Sequence, residues 1–232
     1  MEHSQELNWT ETLTGEMLLL GLLAKIIYTE LDEPLAQSLI DEEVFNAVPF
    51  GSDEEETKLG LEILNRWIRA QNGKVNPTSL QALRTDYFKL FIGPGKMHAP
   101  VWESVYFSEE HLVLQERTLD VRRWYRRFGL EAEQINREPD DHIGLELSFM
   151  ARLATLALQA MESQDKAGFT GLMNFQKKFF SEHLAQFGPT WAKLVIEHAQ
   201  SDFYRGIGHL ALGSLQAVAR ILKVEIRAKA LE

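Results

Sequence analysis

The chain has 232 residues, 45% of them hydrophobic and 25% charged, which is ordinary for one large or two small globular domains. A net charge of -10 argues against general nucleic-acid binding, which needs lysine and arginine patches, and fits either simple solubility or a basic partner. The absence of cysteine excludes disulfides and thiolate metal sites and fits a reducing compartment.

Apolar residues recur at spacings of three and four along almost the whole chain, which predicts helices throughout. In the first half, Ser52 and Glu55 fit a capping box at a helix start. Gly73 and Gly93 mark helix ends. The predicted helices of this half are 10–29, a short helix after Asp32, 52–71, 76–93 and 109–128, the last closed by Gly129.

The second half continues the pattern, with predicted helices at 142–161, 166–187, 189–199 and 201–224. The first of these is apolar on most sides, which predicts that it lies buried at the centre of the fold. Ser201 or Asp202 is expected to cap the last helix. A weak alternation over 101–107 is the only hint of a strand, so the predicted fold class is all-α with nine or ten helices.

We expect a single domain over 1–232, with N- and C-terminal halves 1–128 and 142–232 joined by a hinge-like loop at 129–141. Such a hinge would permit helix exchange between protomers, and hence a homodimer. The most apolar run, 17–24, follows acidic residues and is too short to span a membrane. It predicts a buried helix in a cytoplasmic protein without stable membrane insertion.

His142 and Glu146 are four residues apart, so they share one helix face and could hold a metal ion with a third ligand from elsewhere. A metal-dependent hydrolase is therefore one alternative, although the pattern is not H-E-x-x-H. The favoured interpretation is structural, with Asp140 and Asp141 at the positive end of a helix and His142 bonded to a nearby carboxylate. We therefore expect no metal, no cofactor and no catalytic residue.

The sequence Gly-Pro-Gly-Lys at 93–96 lacks the upstream glycine and the following Ser or Thr of a phosphate loop, so we interpret it as a helix stop. Aromatic residues flank this turn. Tyr87, Phe91 and Trp102 are suited to a peptide-binding groove, because they offer large contact area at low entropic cost. Carboxylates beside them, such as Asp141 or Glu103, could pair with arginines of a ligand.

Three elements resemble the TorD/DmsD family, which consists of cytoplasmic chaperones for molybdoenzymes exported by the twin-arginine (Tat) route. These elements are L-F-I-G-P at 90–94, P-V-W-E-S-V at 100–105 and E-P-D-D-H-I-G at 138–144. Their order and spacing match the family, and so does the arginine-bearing helix between the last two. The match is closer to the dimethyl-sulfoxide-reductase branch than to the nitrate-reductase branch.

The resemblance implies a binding protein rather than an enzyme. Its expected partner is the twin-arginine signal peptide of a DMSO/TMAO reductase-type precursor, whose export is delayed until the molybdenum cofactor is inserted, and translocase components are a further expected contact. The residues implied for the peptide surface are Tyr28, Tyr87, Leu90, Phe91, Pro100, Trp102, Asp141 and His142. Structural roles are implied for Gly93, Pro94, Ser104, Glu138, Pro139 and Gly144.

Two positions depart from the family pattern. Gly95 stands where the family can carry tryptophan, and Val101 replaces the second proline of Pro-Pro-Trp, which predicts a shallower groove and a different partner preference. We hypothesise that Asp141 meets an arginine while Trp102 and Phe91 bury the apolar part of the peptide. A helical adaptor for another basic partner is the second alternative, and nothing in the chain predicts the guanine-nucleotide binding of some members.

Overall fold

The computed structural model describes residues 7–93, 97–107, 116–130 and 138–226. Within those ranges the chain forms nine α-helices, a π-helical turn and a 3-10 helix, and its only β-pairing is one isolated bridge. The helices are α1 (Trp9–Tyr28), α2 (Glu33–Asp41), α3 (Glu55–Ala70), α4 (Pro77–Tyr87), the π-turn (Phe88–Ile92), the 3-10 helix (Glu103–Tyr106), α5 (Glu116–Arg127), α6 (Ile143–Glu162), α7 (Lys166–Glu182), α8 (Leu184–His198) and α9 (Asp202–Leu222). The prediction of an all-α fold is confirmed.

Helices α2, α4 and α9 begin where the sequence predicts. Each follows a side chain that accepts a hydrogen bond from a backbone N–H of the first turn, and these capping residues are Asp32, Asn76 and Ser201. The predicted stop at Gly93 is also confirmed, because its N–H donates to Phe88 O at 2.6 Å and its φ is 30°. Pro94, Gly95 and the residues 109–115 of a predicted helix lie outside the described ranges.

The predicted capping box at the start of α3 is wrong. The helix begins at Glu55, and its N-cap residue, Glu54, makes no side-chain capping bond. The carboxylates of Asp53 and Glu54 instead bind Arg220 of α9, at 2.8 and 2.9 Å. A tertiary ion-pair network therefore replaces the local cap at this end, and Ser52 takes no part in it.

The predicted break between the seventh and eighth helices is also misplaced. Helix α7 ends at Glu182 and α8 begins at Leu184, with the chain turning at His183 (φ -121°, ψ -89°). Pro189, expected near the start of a new helix, lies inside α8 and is buried. Its missing N–H removes one helical hydrogen bond, a loss that burial of the ring in the core offsets.

The two halves of the chain interleave rather than stand apart. Helix α1 runs along α6 and α3 runs along α9, so a continuous apolar core extends from Leu19 to Leu222. Gly60 permits the second of these contacts, because a Cβ there would lie 2.9 Å from Gly206 O. The division at 129–141 stays a prediction, since residues 131–137 of that loop lie outside the described ranges.

Helix α6 is the predicted buried central helix. Among the described residues it is the single helix long and apolar enough to cross a membrane by length and composition. However, 61% of its most apolar window is buried inside the structure, as in the core helix of a globular fold. The N-terminus of α6 is also where the candidate site lies.

Candidate functional site

The two segments that the sequence singles out, 100–106 and 138–144, lie side by side. Trp102 and His142 form an isolated antiparallel bridge. Two backbone hydrogen bonds flank it, from Glu103 N to Asp141 O (2.9 Å) and from Ile143 N to Val101 O (2.8 Å). The weak alternation at 101–107 therefore corresponds to this one bridge, after which the chain turns into the 3-10 helix.

Asp141 lies fully buried between the two segments. Its Oδ2 accepts the Ser104 N–H at 2.8 Å, and its side chain has an exposed fraction of 0%. The hypothesis that Asp141 meets an arginine directly is therefore not supported by this geometry. The carboxylate instead fixes the start of the 3-10 helix against the second segment.

His142 is the N-cap of α6 rather than a residue within it. Its Nδ1 accepts the Gly144 N–H at 3.0 Å, so the ring bonds to the backbone and not to the carboxylate that the sequence suggested. Burial lowers the pKa of this imidazole to about 3. The ring is therefore neutral at physiological pH, with its proton on Nε2.

Trp102 is half-buried, so this residue of the bridge is also partly exposed to solvent. Its Nε1–H donates to Glu138 Oε1 at 2.6 Å, and its ring lies edge-on to His142 with centroids 6.5 Å apart. Burial raises the pKa of the Glu138 carboxyl, the bond from Trp102 lowers it, and the charge of Asp141 raises it. Glu138, expected only as part of a structural motif, thus presents a carboxylate beside the indole ring.

Tyr28, at the end of α1, completes the aromatic edge of this region. Its ring lies edge-on to His142, with centroids 5.1 Å apart. Gly144 allows this approach, because a Cβ there would meet Ala24 O and the Tyr28 Cβ, each at 3.1 Å. The glycine of the 138–144 element therefore sets how closely α6 packs on α1.

Three predicted contact residues, Tyr87, Leu90 and Phe91, are buried in the core. The Tyr87 hydroxyl donates to Ile27 O at 3.1 Å, and the Phe91 ring stacks on Trp191 with centroids 6.0 Å apart. The Leu90 carbonyl accepts the Ala99 N–H at 2.9 Å. In this conformation the three residues support the segment that follows them and do not present their side chains to a ligand.

Pro100 is partly exposed and is held by the 3-10 helix. Its carbonyl accepts the Tyr106 hydroxyl at 2.7 Å, which links the two ends of the 100–106 segment. The bond holds Pro100 at the edge of the core, and Trp102 follows it two residues later in the chain. Burial raises the pKa of Tyr106 well above its ordinary value, so the hydroxyl remains a donor.

Two carboxylates, those of Glu138 and Glu30, give the region around Trp102 its negative charge. Burial raises the pKa of the Tyr87 hydroxyl, and the charges of Glu138 and Glu30 raise it further, so both carboxylates act on the same buried group. Glu30 follows Tyr28 by two residues and forms a half-exposed ion pair with Arg84 at 2.7 Å. We define the Trp102 surface as the partly exposed or exposed residues Tyr28, Glu30, Pro100, Trp102 and Glu138.

Two partly exposed arginines of α5 pair with buried carboxylates and so attach α5 to both segments. Arg117 binds Glu103 at 2.5 Å, and Glu103 also lies 2.8 Å from His183 Nδ1. In the second segment, Arg122 binds Asp140 through Nη2 at 2.6 Å. The sequence placed an arginine-bearing helix between these segments, but it gave no sign that two of its arginines turn inward to Glu103 and Asp140.

Glu146 is the buried carboxyl of α6 nearest these groups. Both its oxygens lack a hydrogen-bond partner within the described structure. Burial raises its pKa well above the ordinary value, and the charges of Glu103 and Asp141 raise it further. The described residues contain no group of three His, Asp or Glu side chains able to hold a metal, and His142 Nδ1 is already engaged, so the geometry does not support a metal-dependent hydrolase.

Comparison with known proteins identifies relatives. A family model described as nitrate reductase delta subunit matches residues 52–193. The Tat proofreading chaperone DmsD of Salmonella typhi is 30% identical over 133 residues, which are 57% of this chain and 58% of that protein. The chaperone protein TorD of Aliivibrio fischeri is 26% identical over 205 residues, 86% of this chain and 94% of that protein. TorD of Vibrio cholerae serotype O1 is 26% identical over 198 residues, 84% of this chain and 86% of that protein.

The extent of these matches differs between relatives. The alignment spans 58% of the length of the Salmonella DmsD proteins, whereas it spans most of the TorD proteins. The family match covers more than half of this chain and includes all three elements, at 90–94, 100–105 and 138–144. The family model has the nitrate reductase name while these relatives are named DmsD and TorD, so the closer likeness to the dimethyl-sulfoxide-reductase branch than to the nitrate-reductase branch stays a prediction. The chain therefore belongs to the nitrate reductase delta subunit family, with the TorD and DmsD chaperones among its relatives.

Proposed function

We propose that this protein is a chaperone that binds the twin-arginine signal peptide of a molybdoenzyme precursor and delays export until the cofactor is inserted and folding is complete. The names of the relatives support the chaperone role. In this proposal the protein works in the cytoplasm and is not an enzyme.

The observation that carries the proposal is the pairing of Trp102 with Glu138 at the surface. A twin-arginine signal peptide offers two guanidinium groups followed by an apolar stretch. Carboxylates bind guanidinium in a bidentate geometry that ammonium groups do not match. Indole and phenol rings add apolar area and a face for cations, so the Trp102 surface can engage both parts of the peptide.

The remaining predicted contact residues act by holding this surface in place. Asp141 fixes the 3-10 helix that follows Trp102, and His142 caps α6 and packs against Tyr28. We therefore assign the arginine contacts to Glu138 and Glu30 in place of Asp141. Apolar contact falls to Trp102, while Phe91 supports the segment from within the core.

Calorimetric titration with the twin-arginine signal peptide of a reductase tests this proposal. Trp102→Ala is expected to weaken binding about ten-fold or more, because a central aromatic anchor is lost. Trp9→Ala is the matched control, since Trp9 is also partly exposed but lies at the start of α1, in contact with Phe169. Unchanged affinity in Trp102→Ala and Glu138→Gln, with helical content intact by circular dichroism, would rule the assignment out.

The alternative of a helical adaptor for another basic partner makes a different prediction. An adaptor that reads charge alone binds a peptide with two lysines as tightly as one with two arginines. The chaperone proposal requires a preference for arginine. Contact with translocase components and a homodimer formed by helix exchange through 129–141 belong to the same proposal and are tested by co-purification and by sedimentation.

A further inference from the structure

A second charged surface lies on the outer sides of α5 and α7. Trp124 of α5 packs edge-on against Phe175 and Phe179 of α7, with ring centroids 6.2 and 5.8 Å apart. The two helices therefore present their outer side chains to the same region of solvent. Arginines of α5 that turn inward serve the site described above, so the outward ones form a separate surface.

Exposed cations concentrate on this surface. We define the α5–α7 cationic surface as Arg123, Arg126, Arg127, Lys177 and Lys178, all exposed. Among the described residues, two carboxylates pair with these cations, Asp120 with Arg123 at 2.7 Å and Glu182 with Lys178 at 3.8 Å. In the part of the chain that is described, Arg126, Arg127 and Lys177 have no ion-pair partner. Counted over the described residues alone, this surface has an excess of three positive charges, in contrast with the net charge of -10 for the whole chain.

Aromatic rings hold two of these cations in position. The Arg127 guanidinium lies 4.4 Å from the centre of the Phe175 ring and 5.9 Å from that of Trp124. The Lys178 ammonium lies 5.8 Å from the Trp124 ring. Stacking leaves the N–H groups at the guanidinium edge available to an acceptor, and it lowers the entropy lost when a ligand binds.

The cavity between these helices has a volume of about 210 Å³, below the roughly 300 Å³ at which small-molecule sites begin, so it has room for a single side chain. Its lining consists of Asp120, Arg123, Trp124, Arg127, Lys178 and Glu182. Asp120 is already engaged by Arg123 through Oδ1, and its Oδ2 lies 3.5 Å from His183 Nε2. The donors that remain, above all those of Arg127, suit one carboxylate side chain.

We propose that the α5–α7 cationic surface docks an acidic polypeptide segment, with one carboxylate side chain in the cavity beside Arg127. The acidity of the rest of the chain favours this ligand over nucleic acid. A long phosphate array would extend beyond five cations into a repulsive field, whereas a short acidic segment ends within them. This partner is distinct from the basic signal peptide, so the inference goes beyond the proposed function.

The test uses the full chain and a short glutamate-rich peptide as the probe. Binding is measured by fluorescence anisotropy at about 0.02 M and about 0.15 M salt, because screening weakens exposed charge pairs. The variant carries Arg126→Gln, Arg127→Gln and Lys178→Gln. The matched control carries Arg69→Gln, Lys74→Gln and Lys193→Gln, three exposed cations in α3, the α3–α4 turn and α8 without an ion-pair partner in the described structure.

Both triple variants change the net charge equally, so any difference between them reports position. We expect the α5–α7 variant to lose about ten-fold or more in affinity at low salt, and the control to change by about two-fold at most. Equal losses in the two variants, no binding by the unaltered chain, or tighter binding of a single-stranded oligonucleotide would each overturn the proposal. Unchanged affinity of the α5–α7 variant for the twin-arginine peptide, relative to the control, would support two separate surfaces.

Discussion

At position 142 an imidazole caps a helix, a role that Ser, Thr, Asn or Asp fill in most proteins. The ring accepts the Gly144 N–H, packs between Tyr28 and Trp102, and is almost fully buried. Each of these contacts suits the neutral form. The cost of charging His142 therefore links the integrity of the site to pH.

This link predicts how stability changes in acid. The pKa of His142 falls from 6.5 to about 3 on folding, so the unfolded chain binds a proton that the folded chain does not between these values. As pH falls through that window, His142 lowers the free energy of unfolding by about 1.4 kcal/mol per pH unit. The variant His142→Asn keeps a capping oxygen but does not titrate. Denaturant titrations should therefore show that its free energy of unfolding falls less steeply as pH is lowered. An identical pH dependence in the two proteins would contradict the prediction.

Sequence could indicate which residues belong to the site, but not which of them face outward. The spacing of the 90–94, 100–105 and 138–144 elements led to Trp102 and His142, which the structure joins by a bridge. Asp141 was expected to meet a ligand, and it is buried because its carboxylate satisfies a backbone donor from the other segment. That donor, the Ser104 N–H, lies 37 positions away in the chain, and no local pattern reports such a bond.

Among the helices, the pairing of α1 with α6 matters most for the site, because it brings Tyr28 to His142. Gly144 lies at a tight contact between the two helices. Helix starts at Asp32, Asn76 and Ser201 were predictable because each cap bonds to its own first turn. The start of α3 and the break before α8 were not, because Arg220 of α9 and the burial of Pro189 act on them from outside the helix.

Gly144→Ala tests the role of this helix pair. The added methyl would meet Ala24 O and the Tyr28 Cβ at 3.1 Å, closer than ordinary contact, so α6 must shift from α1. We expect thermal or chemical denaturation to show a loss of about 1–3 kcal/mol, and peptide binding to weaken through displacement of Tyr28. Gly171→Ala is the matched control, since a Cβ there meets nothing within 4 Å. Equal stability of the two variants would show that the contact of Gly144 with α1 has room for a methyl group.

For the whole molecule, a buried acid makes the free energy of unfolding fall as pH rises from acidic to mildly alkaline values. Glu16 is buried between α1 and α7, and the Gln176 amide is its one donor among the residues that the structure describes, at 3.0 Å. Burial raises the pKa of Glu16 to about 8, and the bond from Gln176 lowers it in part. The folded chain thus keeps a proton that the unfolded chain releases above pH 4.5.

Stability should therefore fall as pH rises from 4.5 to about 8, and this contribution should level off above that value. Glu16→Gln removes the titrating carboxyl group and retains a polar side chain beside Gln176. We expect the variant to be more stable than the unaltered chain by about 1–3 kcal/mol at pH 8, and to differ less at pH 5. Urea titrations at both values check this, and a constant difference between them would argue against titration of Glu16.

The central claim is that Glu138, beside Trp102, recognises an arginine of the signal peptide. A double-mutant cycle tests it most directly, with calorimetric affinities of the unaltered chain and Glu138→Gln for the twin-arginine peptide and its twin-lysine counterpart. We predict that replacing arginine by lysine costs the unaltered chain about ten-fold or more and costs Glu138→Gln much less, a coupling of about 1 kcal/mol or more. An equal loss in both proteins, with the fold intact, would contradict the account.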